Sequence, residues 1–187
     1  MSKAIKLRVK KADGDHDLGV SKFLGSPVFP EEWLSDFSDT VMFLLQLNLE
    51  QIKDFDKDNL LPHKGYLYIF LDTANGCYNL KPIIRYFEGE PIHVIDNFNE
   101  IVPEYEEYVD EYLIEFEKGK EDMEGTKLFG TPSFWNYEDE PGTLFLQLDP
   151  LDPDMGLFRS FDGIMYFFFD KNSPKDYEKI SLIEDFS

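Results

Sequence analysis

The chain has 187 residues, 42% hydrophobic and 18 of them Phe, with 38 acids against 18 bases and a formal net charge of −20. So much aromatic surface supplies a core, which excludes intrinsic disorder; no apolar run approaches the ~20 residues that span a bilayer, and a single cysteine excludes an internal disulfide framework. A surface this negative repels phosphate backbones, so neither nucleic acid nor membrane is an expected partner.

Acidity is uneven: residues 1–99 hold 15 acids and 11 bases, residues 100–187 hold 23 and 7. Such a surface attracts a basic partner and speeds encounter with it. The N-terminal segment alternates apolar and basic residues without the continuous apolar stretch of a signal peptide, so a cytoplasmic location is expected.

Ile5–Val9 alternates with period two and predicts a half-buried strand, and Asp13-Gly14-Asp15 breaks it into a loop. Gly25-Ser26-Pro27 predicts a turn, with Trp33 in the loop beyond it. Val41–Leu49 reads as a strand buried on both faces, and Leu49–Ile52 as the start of a short helix. Leu61–Gly65 turns the chain into a strand over 66–72, with Tyr66, Tyr68 and Phe70 on one face. Ile83–Phe87 and Ile92–Ile95 flank Glu88-Gly89-Glu90-Pro91 and predict a hairpin.

Over residues 102–120 Tyr105, Tyr108, Val109, Tyr112, Leu113 and Phe116 recur at helical spacing among acids, which predicts an acidic amphipathic helix. Pro103 suits its first position, and Gly119 or Gly125 its end. After a Gly130-Thr131-Pro132 turn come a strand through Phe145–Asp149, a loop over 149–154, a strand over 163–170 and a last strand near Ile180–Ile183.

Three blocks occur twice in the same order. Phe23-Leu24-Gly25-Ser26-Pro27, Phe43-Leu44-Leu45-Gln46-Leu47-Asn48 and Gly65–Asp72 precede Leu128-Phe129-Gly130-Thr131-Pro132, Phe145-Leu146-Gln147-Leu148-Asp149 and Gly163–Asp170. Recurrence of this kind predicts duplication of one structural unit. The expectation is an α+β fold, mainly antiparallel sheet with a few helices. It would form a single domain over 1–187, with repeat units at about 20–98 and 125–187 joined by the helix near 102–120.

Chemistry is sparse. Gln46 and Gln147 sit at equivalent places in apolar strands, where each buried amide needs its partners satisfied; the alternative is a pair lining one pocket between the repeats. Asp72 and Asp170 close equivalent strands. As a pair they would offer acid–base chemistry or a metal site; each alone suits an Asx turn. The run Asp54–Asn59 opens like a calcium loop, but Gly65 stands where the bidentate Glu belongs. His16, His63 and His93 form no short-range pair, and no metal or cofactor is expected. Cys77 with His93 or His63 is the best enzymatic candidate, yet no basic neighbour activates the thiol. No catalytic residue is assigned, and the balance falls against an enzyme. On the predicted helix, Glu107, Asp110 and Glu111 share a face with Ile114, an apolar anchor ringed by steering acids.

The repeated Gly-x-Pro, Phe-Leu-x-Gln-Leu-Asn/Asp and Gly-x-Leu/Met-Tyr-x-Phe blocks, from about Phe23 to the C terminus, resemble those of the YwqG-like bacterial family, whose function is unknown. The resemblance implies a duplicated α+β fold with antiparallel sheet and transfers no catalytic residue. It also implies non-enzymatic proteins found beside bacterial toxins and antitoxins. The expectation is therefore an acidic, non-enzymatic interaction module that neutralises a basic partner such as a toxin. The alternative is a small-molecule-binding or hydrolytic protein with Gln46, Gln147, Asp72 and Asp170 around a site between the repeats.

Overall fold

The computed structural model describes residues 3–76, 79–96, 98–101, 108–133, 141–155 and 163–186. Ten strands lie among them: β1 Ile5–Lys11, β2 Lys22–Phe23, β3 Val41–Asn48, β4 Tyr66–Asp72, β5 Lys81–Phe87, β6 Tyr112–Lys118, β7 Lys127–Leu128, β8 Leu144–Leu148, β9 Ile164–Phe168 and β10 Ser181–Asp185. Described helix amounts to one short α-helix, α1 Leu49–Ile52, and 3-10 turns such as Glu31–Asp36. The expected α+β class is therefore corrected to a mainly antiparallel β protein. No described helix is long and apolar enough to cross a membrane.

The chain divides into two compact units. The β3–β4 unit comprises Val9–Ile52 and Pro62–Ile114, and the β8–β9 unit comprises Met1–Arg8, Lys53–Leu61 and Glu115–Ser187. In the first, the strand order runs β1-β6-β2-β3-β4-β5; in the second it runs β10-β9-β8-β7-β1-β6. β1 and β6 each pass from one unit to the other along their length.

In the β3–β4 unit, β3 is buried from Val41 to Leu47, as its unbroken apolar run requires. Val41 faces Asp72 and Asn48 faces Tyr66 across β4, with a register shift between Phe43 and Leu45. That bulge frees the Leu44 carbonyl to accept the Leu24 N–H at 3.0 Å. Phe29, Phe43, Tyr68, Phe70 and Phe98 form the core, with Phe29 stacked on Trp33 at 5.9 Å and edge-on to Phe70 at 5.6 Å. Edge-to-face pairs of this kind add about 0.5–1.5 kcal/mol each beyond buried area.

The β8–β9 unit repeats these devices locally. β8 pairs with β9 with a register shift between Leu144 and Leu146, and the Phe145 carbonyl accepts the Phe129 N–H at 3.1 Å. Leu24 (φ 58°) and Phe129 (φ 60°) both take left-handed backbone, each followed by a glycine in the same region. Leu144, Tyr166 and Phe168 make its core cluster, flanked by Ile164 and Ile183.

The predicted helix over 102–120 is corrected: Tyr112–Lys118 is strand β6, and residues 102–107 lie outside the described residues. Ile114 is buried and Glu115 and Glu117 are exposed, which is the alternation of a strand. β2, only two residues long, needs a partner on each side. β6 supplies one by pairing Leu113 with Lys22 and Tyr112 with Phe23, and β3 supplies the other. The Ile114 N–H continues the ladder onto Ser21 O at 3.0 Å, as the Leu7 N–H does onto Thr126 O at 3.2 Å. β1 pairs β7 through Ile5–Leu128 and Lys6–Lys127. β6 thus serves β2 as β1 serves β7. The second arm of the predicted hairpin is also not a strand; Val94 makes only an isolated bridge to Val28.

Candidate functional site

Gln46 and Gln147 are fully buried, and their amides are spent on backbone. Gln46 Oε1 accepts the Val28 N–H at 2.9 Å while Nε2 donates to Leu18 O and Val20 O at 3.0 and 2.9 Å. Gln147 Oε1 accepts the Ser133 N–H at 2.8 Å and Nε2 donates to Gly125 O at 2.8 Å. Tyr68 donates its hydroxyl proton to Val28 O at 2.7 Å, and Tyr166 does the same to Ser133 O. Each glutamine therefore fastens the segment after a Gly-x-Pro turn to a central strand.

Asp72 Oδ1 accepts the Ala74 N–H at 3.0 Å and the Thr40 hydroxyl at 2.8 Å. Asp170 Oδ1 accepts the Asn172 and Ser173 N–H groups at 2.9 and 2.7 Å. Both are Asx turns closing a strand, the local role that aspartate plays best. Asp56 in the calcium-like run accepts the Leu60 and Leu61 N–H groups at 3.1 and 2.9 Å. Among the described residues no group of three or more His, Cys, Asp or Glu is arranged to hold a metal ion. Cys77 lies outside the described residues.

The anticipated acidic face does not assemble as a helix would assemble it. Glu107 lies outside the described residues. Ile114 is buried on β6 and offers no anchor. Asp110 takes the Lys11 ammonium at 2.5 Å. Glu111 is largely buried, with Oε2 accepting from Lys22 Nζ at 2.8 Å and Oε1 against His16 Nε2. Ile114 lies within β6 and Glu111 just before it, so the one helical stripe became two environments.

Sequence reasoning missed the two fully buried lysines, Lys22 and Lys127. Each occupies a two-residue strand just before the left-handed turn, and each was hidden because a lysine breaks the apolar signal. Among the described residues Lys127 has no carboxylate at hydrogen-bonding distance. Its Nζ donates to Met123 O, to Thr131 O at 2.6 Å and to Ser133 Oγ at 3.1 Å. Burial pulls its pKa down to about 8, against the opposing fields of Asp122 and Glu124.

The surface remains strongly acidic. Many cations are already matched: Lys6 with Asp154 at 2.5 Å, Arg8 with Glu117 at 3.1 Å, Lys179 with Asp176 at 2.9 Å. Glu115, Asp122 and Glu124 stand exposed on β6 and the loop that follows it.

No curated protein matches the chain. One family model does, over residues 21–182, a span that takes in both Gly-x-Pro turns, both buried glutamines and both Asx-closed strands. The chain belongs to the family described as Domain of unknown function (DUF1963).

Proposed function

We propose that the chain is a non-enzymatic, acidic protein-binding module, YwqG-like in kind and cytoplasmic, that engages a basic partner protein in the manner of an immunity protein neutralising a toxin. The observation that carries this reading is the charge surplus, 38 acids against 18 bases. The excess carboxylates need countercharge from outside, which steers a basic partner and excludes an acidic one. A hydrolytic site built on Gln46, Gln147, Asp72 and Asp170 has less in its favour, since each of the four side chains already accepts a backbone N–H.

We also infer that one β-strand unit was duplicated. The paired register shifts, the left-handed turns, the two glutamine clamps and the matched roles of β1 and β6 support that history. The two copies meet the buried lysine differently, with a carboxylate at Lys22 and with neutral oxygens at Lys127 among the described residues.

The test is capture from the lysate of its own host at low salt, followed by reconstitution from purified components. The expected outcome is a one-to-one complex with a basic protein whose affinity falls at least about tenfold between roughly 50 and 300 mM salt. The charge reversal Glu115→Lys, at an exposed position of β6, should slow association without altering the melting temperature by more than a few degrees. Binding indifferent to salt and to this reversal overturns the electrostatic reading.

A further inference from the structure

Three lysines, Lys3, Lys57 and Lys118, gather around one pocket. A pocket of about 500 Å³ lies wholly within the β8–β9 unit. Lys3, Lys57 and Lys118 line it, and none of the three forms a salt bridge among the described residues. Its apolar wall is Ile5, Phe55 and Phe129, of which Ile5 and Phe129 are almost fully buried.

The pocket is pre-formed. The Gly119 N–H binds Ala4 O at 2.9 Å, fixing the start of β1 beside the end of β6. A Cβ on Gly119 would stand 2.3 Å from Met123 Sδ and 3.0 Å from Ala4 O, a close approach that glycine allows without displacing its neighbours. The opposite wall is the segment carrying Phe55 and Lys57. It is anchored by Asp56, whose carboxylate takes the Leu60 and Leu61 N–H groups and is thereby spent. The Phe55 ring is braced by Phe116, centroids 6.1 Å apart.

The volume lies within the range of small-molecule sites, about 300–1,000 Å³. Its chemistry is apolar, with cationic groups at the lining. Asp54, Asp56 and Asp58 also border it; both Asp56 oxygens accept backbone N–H groups, which leaves three ammonium groups against two carboxylates that no backbone group engages among the described residues.

We propose that this pocket binds a small amphipathic organic anion, its apolar body against Ile5, Phe55 and Phe129 and its acidic head among Lys3, Lys57 and Lys118. The proposal stands independently of the protein partner, so either can fail alone.

The probe is 8-anilino-1-naphthalenesulfonate, an aromatic body with one anionic head, titrated by fluorescence into the full chain. The expected result is saturable binding at one site per chain. Affinity should fall at least about tenfold in the Lys57→Glu/Lys118→Glu variant, and by a similar factor for N-phenyl-1-naphthylamine, which keeps the body and lacks the sulfonate. Both lysines are exposed, so the variant should melt as the parent does, and a matching melting curve certifies the comparison. Should the variant fail to fold, the charged-versus-neutral probe ratio on the parent decides alone. Absence of saturable binding, equal affinity for the two probes, or parental affinity in a folded variant overturns the proposal.

Discussion

Lys22 and Lys127 hold the same place, the first residue of a two-residue strand before a left-handed turn, and their charges are met in opposite ways. Lys22 reaches the carboxylate of Glu111 at 2.8 Å, whereas Lys127 is held by two carbonyls and a serine hydroxyl. Neutral oxygens compensate a buried cation less completely than a carboxylate does. Burial holds the pKa of Lys127 below the ordinary lysine value.

That difference fixes a pH dependence. Folded Lys127 titrates near 8, pulled down by burial, while the unfolded side chain keeps its proton to 10.5. Between these values the unfolded state binds more protons, so stability rises with pH; below about 8 both states are protonated and Lys127 contributes no slope. Tyr66, pushed up to about 12 by burial, acts in the opposite sense, but only above its ordinary 10.0. Urea midpoints measured from about pH 7.5 to 9.5 should therefore climb for the parent. They should stay flatter for Lys127→Met, which keeps the stem and removes the amine. Equal slopes in the two proteins would dispose of the assignment.

The ion pair yields a complementary test. Glu111→Ala leaves Lys22 buried at 0% exposure without its carboxylate, and removing one partner of a buried pair costs about 3–5 kcal/mol. Glu111→Leu combined with Lys22→Met removes both charges and should recover most of that loss. The readout is the urea unfolding free energy of the single and double variants. A double variant as unstable as Glu111→Ala would show that packing, rather than the orphaned ammonium, sets the cost.

Much of the sheet was legible because β3, β4, β8 and β9 are apolar runs long enough to declare themselves, and the glutamines and aspartates within them took the local roles that their chemistry suggests. What failed was periodicity at β6. Tyr108, Tyr112 and Phe116 fit helical spacing, yet Ile114 and Phe116 alternating with Glu115 and Glu117 fit a strand equally well. The deciding fact is non-local: β2 needs a second neighbour, and β6 is the segment that reaches it. A sequence signal did exist, since the apolar–charged alternation of Ile5–Lys11 also precedes a buried lysine by a short loop. The interaction face went astray with the helix that carried it, because changing the period moved Ile114 inward and gave Glu111 to Lys22.

The glutamine clamps should be separable from ordinary core packing. Gln46→Leu strands the Val28 N–H and Gln147→Leu strands the Ser133 N–H, each an amide buried with its acceptor deleted. The expected loss is about 1–3 kcal/mol apiece. Amide exchange read by NMR should show the Val28 and Ser133 protons losing protection in their respective variants. Unchanged exchange would mean that another acceptor replaces the glutamine.

Gly25 carries two constraints that substitution can pull apart. Its φ of 72° disfavours any L side chain, and a Cβ there would lie 2.5 Å from Glu111 Cβ and 2.9 Å from its Cγ. Gly14 shares the first constraint, with φ 85°, and not the second, for nothing lies within 4 Å of the place a methyl group would take there. Gly14→Ala should therefore cost about 1–2 kcal/mol, the left-handed penalty alone. Gly25→Ala should add an overpacking cost of about 1–3 kcal/mol, because Glu111 is tied to Lys22 and cannot swing away freely. Trimming the arm should narrow the gap: in a Glu111→Ala, Lys22→Met background the Cγ and carboxylate contacts are gone while the Cβ contact stays, and the excess cost of Gly25→Ala over Gly14→Ala should shrink. An excess that persists there would place the strain in the Glu111 backbone and Cβ rather than in the tethered carboxylate arm.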